Sequence, residues 1–221
     1  MARPLVIIGA GEFAQIACEY FTHDSDYDVA AFSVERSWLR ETELAGHPVV
    51  PYEELALYYP PADFDAFVAV PSSQLNRLRT RLYQDARARG YAMASYVSSR
   101  AFVWRNAQLG EHCFIFENNV IQPFVTIGSN CVLWSGNHVG HRTVIGDNVF
   151  VASHAVISGY CQIGQNSFLG VNSTFNDHVN VAQDNVIGSG ALVVRDTEPG
   201  RIYVGSPAKA LPGKSSFDVS L

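Results

Sequence analysis

His138, His141 and His154 stand close together along the chain, the first two in the stretch Trp134-Ser135-Gly136-Asn137-His138-Val139-Gly140-His141-Arg142. Imidazole is the side chain best suited to move a proton near neutral pH, so this stretch is where a general base is sought. His141 follows by two places Val139, one of a series of apolar residues recurring every six positions, and precedes Gly159 by eighteen. If residues eighteen apart are stacked, the Gly159 N–H, bare of side-chain cover, lies beside the imidazole. His141 would then take the proton of an attacking amine or hydroxyl, and the Gly159 N–H would stabilise the oxyanion of a tetrahedral intermediate. The alternative is that His141 is a corner residue at a subunit interface, and the residue types alone leave both readings open.

The element that must position these groups is the six-residue repeat itself. Steps of six from Val97 land on Val103, Leu109, Ile115, Ile121, Ile127, Leu133, Val139, Ile145, Val151, Ile157, Ile163, Leu169, Phe175, Val181, Ile187 and Val193, without a slip. The residue four places on is mostly small or β-branched, as at Ala101, Cys113, Val125, Cys131, Thr143 and Ala155. A hexapeptide period predicts a parallel β-helix in which each repeat forms a short strand and turns a corner. Three repeats close one coil, and successive coils stack at strand spacing, roughly 4.8 Å. Gly110, Gly128, Gly146 and Gly164 follow the aliphatic residue on one side of the prism, where close approach and tight corners favour glycine. The unbroken register leaves no room for a projecting loop, so a second wall for any substrate must come from another part of the chain or another subunit.

Composition narrows the class. The chain has 221 residues, 48% hydrophobic, and carries a net charge of −6. That balance, with no basic stripe, argues against nucleic acid as a partner. The apolar run Leu5–Ile8 is too short for a signal peptide or a membrane span. Of the four cysteines, Cys113, Cys131 and Cys161 occupy the small inward slot of their repeats and Cys18 stands apart; there is no CxxC pair. Packing is the role this implies, with reduced thiols in a cytoplasmic protein and no metal site.

Ahead of the repeat, strand and helix patterns alternate: strands over 3–9, 28–34 and 64–70, helices from the Gly-Ala-Gly loop to about Phe21, over 52–58 and over 74–90. This predicts a small α/β domain of Rossmann type over 1–96 followed by an all-β parallel β-helix over 97–221. The polar segment after Pro212 reads as a frayed tail. Gly9-Ala10-Gly11-Glu12-Phe13-Ala14 matches the loose GxGxxG/A pattern directly after a strand, and Glu35 lies near the end of the second strand. Three uses stay open: a dinucleotide site, a backbone site for the phosphate of a nucleotide-activated ligand, or a turn that needs glycine for packing.

The motifs LVIIGAGEFA, NHVGHRTVIGD, FLGVNSTFNDHVNVAQDNVIGSGALVVRD and VGSPAK together resemble the hexapeptide-repeat sugar acyltransferases that carry an α/β domain in front, including nucleotide-4-amino-sugar N-acetyltransferases of the perosamine and bacillosamine type and sialic acid O-acetyltransferases. The resemblance implies a homotrimer in surface-polysaccharide biosynthesis, with acetyl-CoA or another acyl-CoA lying between adjacent β-helices. It places the catalytic base on His141 and the thioester carbonyl near Gly159. It puts the nucleotide-linked amino sugar on the front domain, around Gly9, Gly11, Glu12, Phe13 and Glu35, with Asn137 and His138 beside the base. It lines the CoA path with Gly170, Gly188, Gly190 and Lys209.

Three departures bear on the acceptor. Arg142 follows the histidine where many amino-sugar members have an acid, so another group, Asn137 or His138, must hold the tautomer. Glu12-Phe13 replaces Gly-His after Gly11, and Ser33-Val34-Glu35 stands where an acidic pair is common. N-acetylation of a nucleotide-linked amino sugar by direct attack is the leading expectation. O-acetylation, a silent nucleotide-sugar-binding protein, and a metal lyase using His138, His141 and His154 are the alternatives.

Overall fold

A computed structural model describes residues 3–219 of the chain, which divides into two compact units. The first holds residues 1–71 and 78–96; the second holds 97–221 together with the short segment 72–77.

In the first unit, β1 (Arg3–Ile8) lies centrally and pairs in parallel with β2 (Tyr27–Val34) on one side and β5 (Asp65–Val68) on the other. With β3 (Glu43–Leu44) and β4 (His47–Pro51), the sheet order is β3-β4-β2-β1-β5. Leu5, Val6, Ile7 and Ile8 are all buried, as the continuous apolar run of a strand covered on both faces requires. Helix α1 (Glu12–His23) buries Phe13, Ala14, Ala17, Cys18 and Phe21. The hairpin β3 (Glu43–Leu44) and β4 (His47–Pro51) is absent from the sequence reading. Its two-residue turn, Ala45-Gly46, has both φ values positive, 48° and 79°, and alanine is an uncommon first residue for such a turn. Where one helix was expected over 52–58, a 3₁₀ turn over 52–54 runs into α2 (Leu55–Tyr58).

The helix expected over 74–90 begins only at Arg77, as α3 (Arg77–Ala88). Gln74, Leu75 and Asn76 have φ of 54°, 50° and 64°, which no right-handed helix admits. Asn76 holds this left-handed turn in place by donating to the carbonyls of Asn166 and Ser167, and Leu75 packs with Val186 and Ile202.

The second unit is a stack of coils whose two-residue strands form three parallel sheets. Pairing advances by eighteen residues, as in Val120 with His138 and His138 with Val156. The six-step aliphatic residues and the small residues between them make one buried core from Cys113 to Val193. Cys113, Cys131 and Cys161 are buried within it, and burial pushes the Cys161 thiol up from its ordinary pKa. From His112 to Gly190 every sixth residue has positive φ, and most are Asn, His or Asp. Gly110, Gly128, Gly146 and Gly164 are not those residues: they serve close approach, since a methyl on Gly164 would lie 2.4 Å from the Gln183 nitrogen one coil on.

One corner carries a continuous side-chain ladder. His112 Nδ1 meets Asn130 Oδ1 at 2.9 Å, Asn130 donates to Asn148 at 2.8 Å, Asn148 to Asn166 at 3.1 Å, and Asn166 to Asp184 at 3.1 Å. Arg77 closes it on the same Asp184 oxygen. A carboxylate only accepts, so Asp184 sets the direction of every amide below it and leaves Asn130 Oδ1 accepting from His112 Nδ1–H.

The segment after Pro212 is ordered through Asp218 rather than frayed. The strand Lys209–Ser215 runs antiparallel to Arg201–Val204, Ser216 is buried, and Ser215 and Asp218 form a reciprocal cap on the last turn.

Asn130→Ala removes two links of a buried ladder and is expected to destabilise the coil stack by about 2–4 kcal/mol, read as a shift in the denaturant midpoint. A shift within error would show the ladder to be energetically idle.

Candidate active site

A parallel β-helix satisfies its backbone between coils, but the first residue of each corner points its N–H away from the ladder. In the corner column that holds His141 and Gly159, the N–H groups of these two residues are taken by side chains. The His141 N–H donates to Gln122 Oε1 at 2.9 Å, and the Gly159 N–H donates to Asp177 Oδ1 at 2.8 Å.

His141 is exposed, and its ring lies over Gly159. A methyl on Gly159 would stand 2.7 Å from His141 Cε1 and 3.0 Å from Nε2. His141 Nδ1 faces the same Gln122 Oε1 at 3.4 Å. The backbone N–H identifies that atom as the carboxamide oxygen, which only accepts, so Nδ1 is the donor and Nε2 keeps the lone pair. The Tyr160 ring meets the imidazole edge-on at 5.2 Å and stacks on His178 at 4.8 Å. Arg142 turns aside, with its guanidinium 4.5 Å from the Phe124 ring centroid.

Neither residue expected to hold the tautomer does so. Asn137 is 1% exposed; its amide nitrogen donates to the Trp134 carbonyl and its oxygen accepts the Ala155 N–H at 2.7 Å. His138 is half-buried on the outward face of a sheet. Gln122 was missed in the sequence because it stands nineteen residues back, on the coil below. His154 lies on another corner, its ring filling the space over Gly136. Among the described residues no group of three or more His, Cys, Asp and Glu side chains gathers as a metal site.

Of the later glycines, Gly170 and Gly188 donate their N–H groups to the ladder, to Ile187 at 2.8 Å and Tyr203 at 2.8 Å. They can line a ligand path only by being bare. Gly190 has open space around it, and Lys209 is exposed at the start of its strand.

In the first unit, Gly9 is required for packing: its φ is 133°, and a methyl would stand 2.6 Å from the Ala69 carbonyl oxygen. Gly11 caps α1 without a side chain, which leaves the helix start approachable. Glu12 is exposed on the first turn of that helix. Phe13 is 5% exposed, edge-on to Phe67, and so lies in the core. Glu35 pairs with Arg81 at 3.0 Å. Beside this loop lies a cavity of about 220 Å³ lined by Ala10, Gln15, Val34, Trp38, Arg40, Glu41, Leu44 and Val49. Trp38, 66% exposed, is its aromatic wall, and the sequence reading passed over it.

Comparison with known proteins agrees with this architecture. The sequence model of the family described as bacterial transferase hexapeptide (six repeats) matches residues 106–140. No curated protein sequence matches the chain significantly. The acetyltransferase domain of PglB from Neisseria gonorrhoeae is 26% identical with a TM-score of 0.86, over 95% of this chain and 100% of that one. Perosamine N-acetyltransferase from Caulobacter crescentus, as a histidine-to-asparagine mutant in complex with CoA and GDP-perosamine, is 26% identical with a TM-score of 0.86, over 96% and 98% of the two chains. WeeI from Acinetobacter baumannii, 21% identical, shares the fold with a TM-score of 0.75 over 95% of this chain and 100% of that one. The chain is thus a left-handed β-helix protein of hexapeptide-repeat type with an α/β unit in front. The resemblance to sugar acyltransferases of that build holds in repeat, fold and extent.

Gly159→Ala is expected to push the imidazole off the corner and break its Nδ1 contact while changing stability by less than about 1 kcal/mol. Changed His141 ring resonances with an unchanged unfolding midpoint are the expected result; unchanged ring resonances would contradict the geometry.

Proposed function

We propose that the chain is an acyl-CoA-dependent acyltransferase that N-acetylates the amino group of a nucleotide-linked amino sugar, with His141 as general base. The observation that carries this reading is the imidazole laid over Gly159 with Nδ1 turned to Gln122. That arrangement keeps the proton on Nδ1 and leaves the lone pair of the unprotonated ring on Nε2, the tautomer a base must have.

The chemistry follows from the groups present. The sugar's neutral amine attacks the thioester carbon, forming the C–N bond, while Nε2 takes the amine proton. The Gly159 N–H, once Asp177 Oδ1 releases it, is the donor for the developing oxyanion. As the intermediate collapses the C–S bond breaks, and the imidazolium returns the proton to the departing CoA thiolate. Direct attack needs no covalent acyl-enzyme. The two relatives with high TM-scores support the class: one is an acetyltransferase domain, the other acts on GDP-perosamine.

The nucleotide is assigned to the cavity of the first unit, where Trp38 offers a flat face to a base and the start of α1 an approach for phosphate. The acyl-CoA path runs past the bare glycines 170, 188 and 190 toward Lys209. A homotrimer supplies the missing wall, since no loop projects from the coils. Among the described residues no helix is long and apolar enough to cross a membrane, and buried free thiols suit a cytoplasmic site of action in surface-polysaccharide assembly.

Thiol release from acetyl-CoA, run with UDP-, GDP- and dTDP-linked amino sugars, tests the proposal. One amino sugar is expected to drive release, and His141→Asn to lower kcat by about 10²–10⁴-fold with KM little changed. A hydroxylamine-resistant product would mark an amide, and a labile one an ester on a sugar hydroxyl. Full activity in the variant would remove His141 as the base.

A further inference from the structure

Asp177 stands where the proposed chemistry needs an open donor. The Ser158 N–H belongs to the ladder, bonded to the Phe175 carbonyl at 3.2 Å, and the Tyr160 N–H turns back to the His141 carbonyl at 2.9 Å. The Gly159 N–H between them has no ladder partner, and Asp177 Oδ1 accepts it at 2.8 Å. Other corners use the same device: Asp147 accepts the Ser129 N–H at 2.7 Å. At Gly159 the capped residue also lies against an imidazole, that of His141 on the preceding coil. Asp177 itself is exposed, and among the described residues no lysine or arginine pairs with it. One hydrogen bond holds its carboxylate in place, so it can swing away.

We infer that Asp177 competes with the acyl donor for the Gly159 amide, and so sets the affinity for the acyl group as distinct from the rest of CoA. The inference rests on reading the His141–Gly159 corner as the site of acyl transfer. A carboxylate is a stronger acceptor than a neutral thioester carbonyl. The ground-state carbonyl therefore displaces it at a cost, whereas an oxyanion competes for the same N–H on nearly equal terms. Exchange of one acceptor for another penalises the bound donor more than the transition state, which keeps binding from being spent on the ground state. Asp177 is thus a specificity residue for the acyl carbonyl, and CoA, which lacks that carbonyl, is indifferent to it.

Calorimetric titration of acetyl-CoA and of CoA into the full-length protein, as wild type, Asp177→Ala and Asp177→Asn, separates the possibilities. Asp177→Ala is expected to tighten acetyl-CoA by about tenfold and leave CoA unchanged. Asp177→Asn, whose neutral oxygen accepts more weakly, is expected to fall between. Circular dichroism melting identifies any variant that fails to fold, in which case Asp177→Asn carries the comparison. Parallel changes for both ligands, or weakened acetyl-CoA binding, would make Asp177 a staple of the corner and overturn the inference while leaving acyl transfer standing. Wild type that binds neither ligand would overturn both.

Discussion

The hydrogen bonding between coils is the constraint on which the rest of the second unit depends. Each coil pairs with the next at a shift of eighteen residues, so every side chain has a fixed neighbour above and below. The pairing satisfies the strands but cannot follow the chain round its corners, where single N–H groups drop out of the ladder. Side chains on the adjoining coil therefore close them: Asn106 on Phe124, Gln122 on His141, Asp147 on Ser129, Asp177 on Gly159. At one corner this structural necessity becomes chemistry, because the amide oxygen that closes the His141 N–H also faces its Nδ1.

The same logic applies to residues 72–77, which belong to the second unit. Residues 72–77 form a left-handed turn that makes no sense as the start of α3 but places Asn76 on two carbonyls and Arg77 on Asp184. Arg77 thereby ends an amide ladder that would otherwise finish on an uncompensated carboxylate. Polar chains of this kind, when every member is satisfied, rigidify the structure and specify a unique arrangement.

How much of this was legible in the sequence depends on whether the signal was periodic. The apolar repeat is local and self-similar, so fold class and the six-step core could be read directly, as could the stacking of His141 beneath Gly159. Corner chemistry was not legible in that way. Gln122 and Asp177 act across coils on backbone atoms, and no residue type announces which N–H a corner will orphan. Asn137 looked like a site residue because it neighbours His138 and His141, yet the pleat turns it inward to bridge Trp134 and Ala155. In the first unit, the Gly-Ala-Gly loop drew attention to Phe13, while the cavity beside it is walled by Trp38 from beyond the end of β2. The left-handed turn over 74–76 hid behind a helical spacing of leucines, because spacing carries no information on the sign of φ.

Proton transfer at this corner turns on a His141 tautomer whose proton is on Nδ1, with Nε2 free to accept another. Long-range proton–nitrogen spectra of the histidine-labelled protein above neutral pH, with the His141 signals identified through an asparagine substitution, measure this directly. The account predicts a protonated, pyrrole-type Nδ1 and an unprotonated, pyridine-type Nε2. The opposite tautomer would turn the lone pair toward Gln122, leave no base facing a substrate, and contradict it.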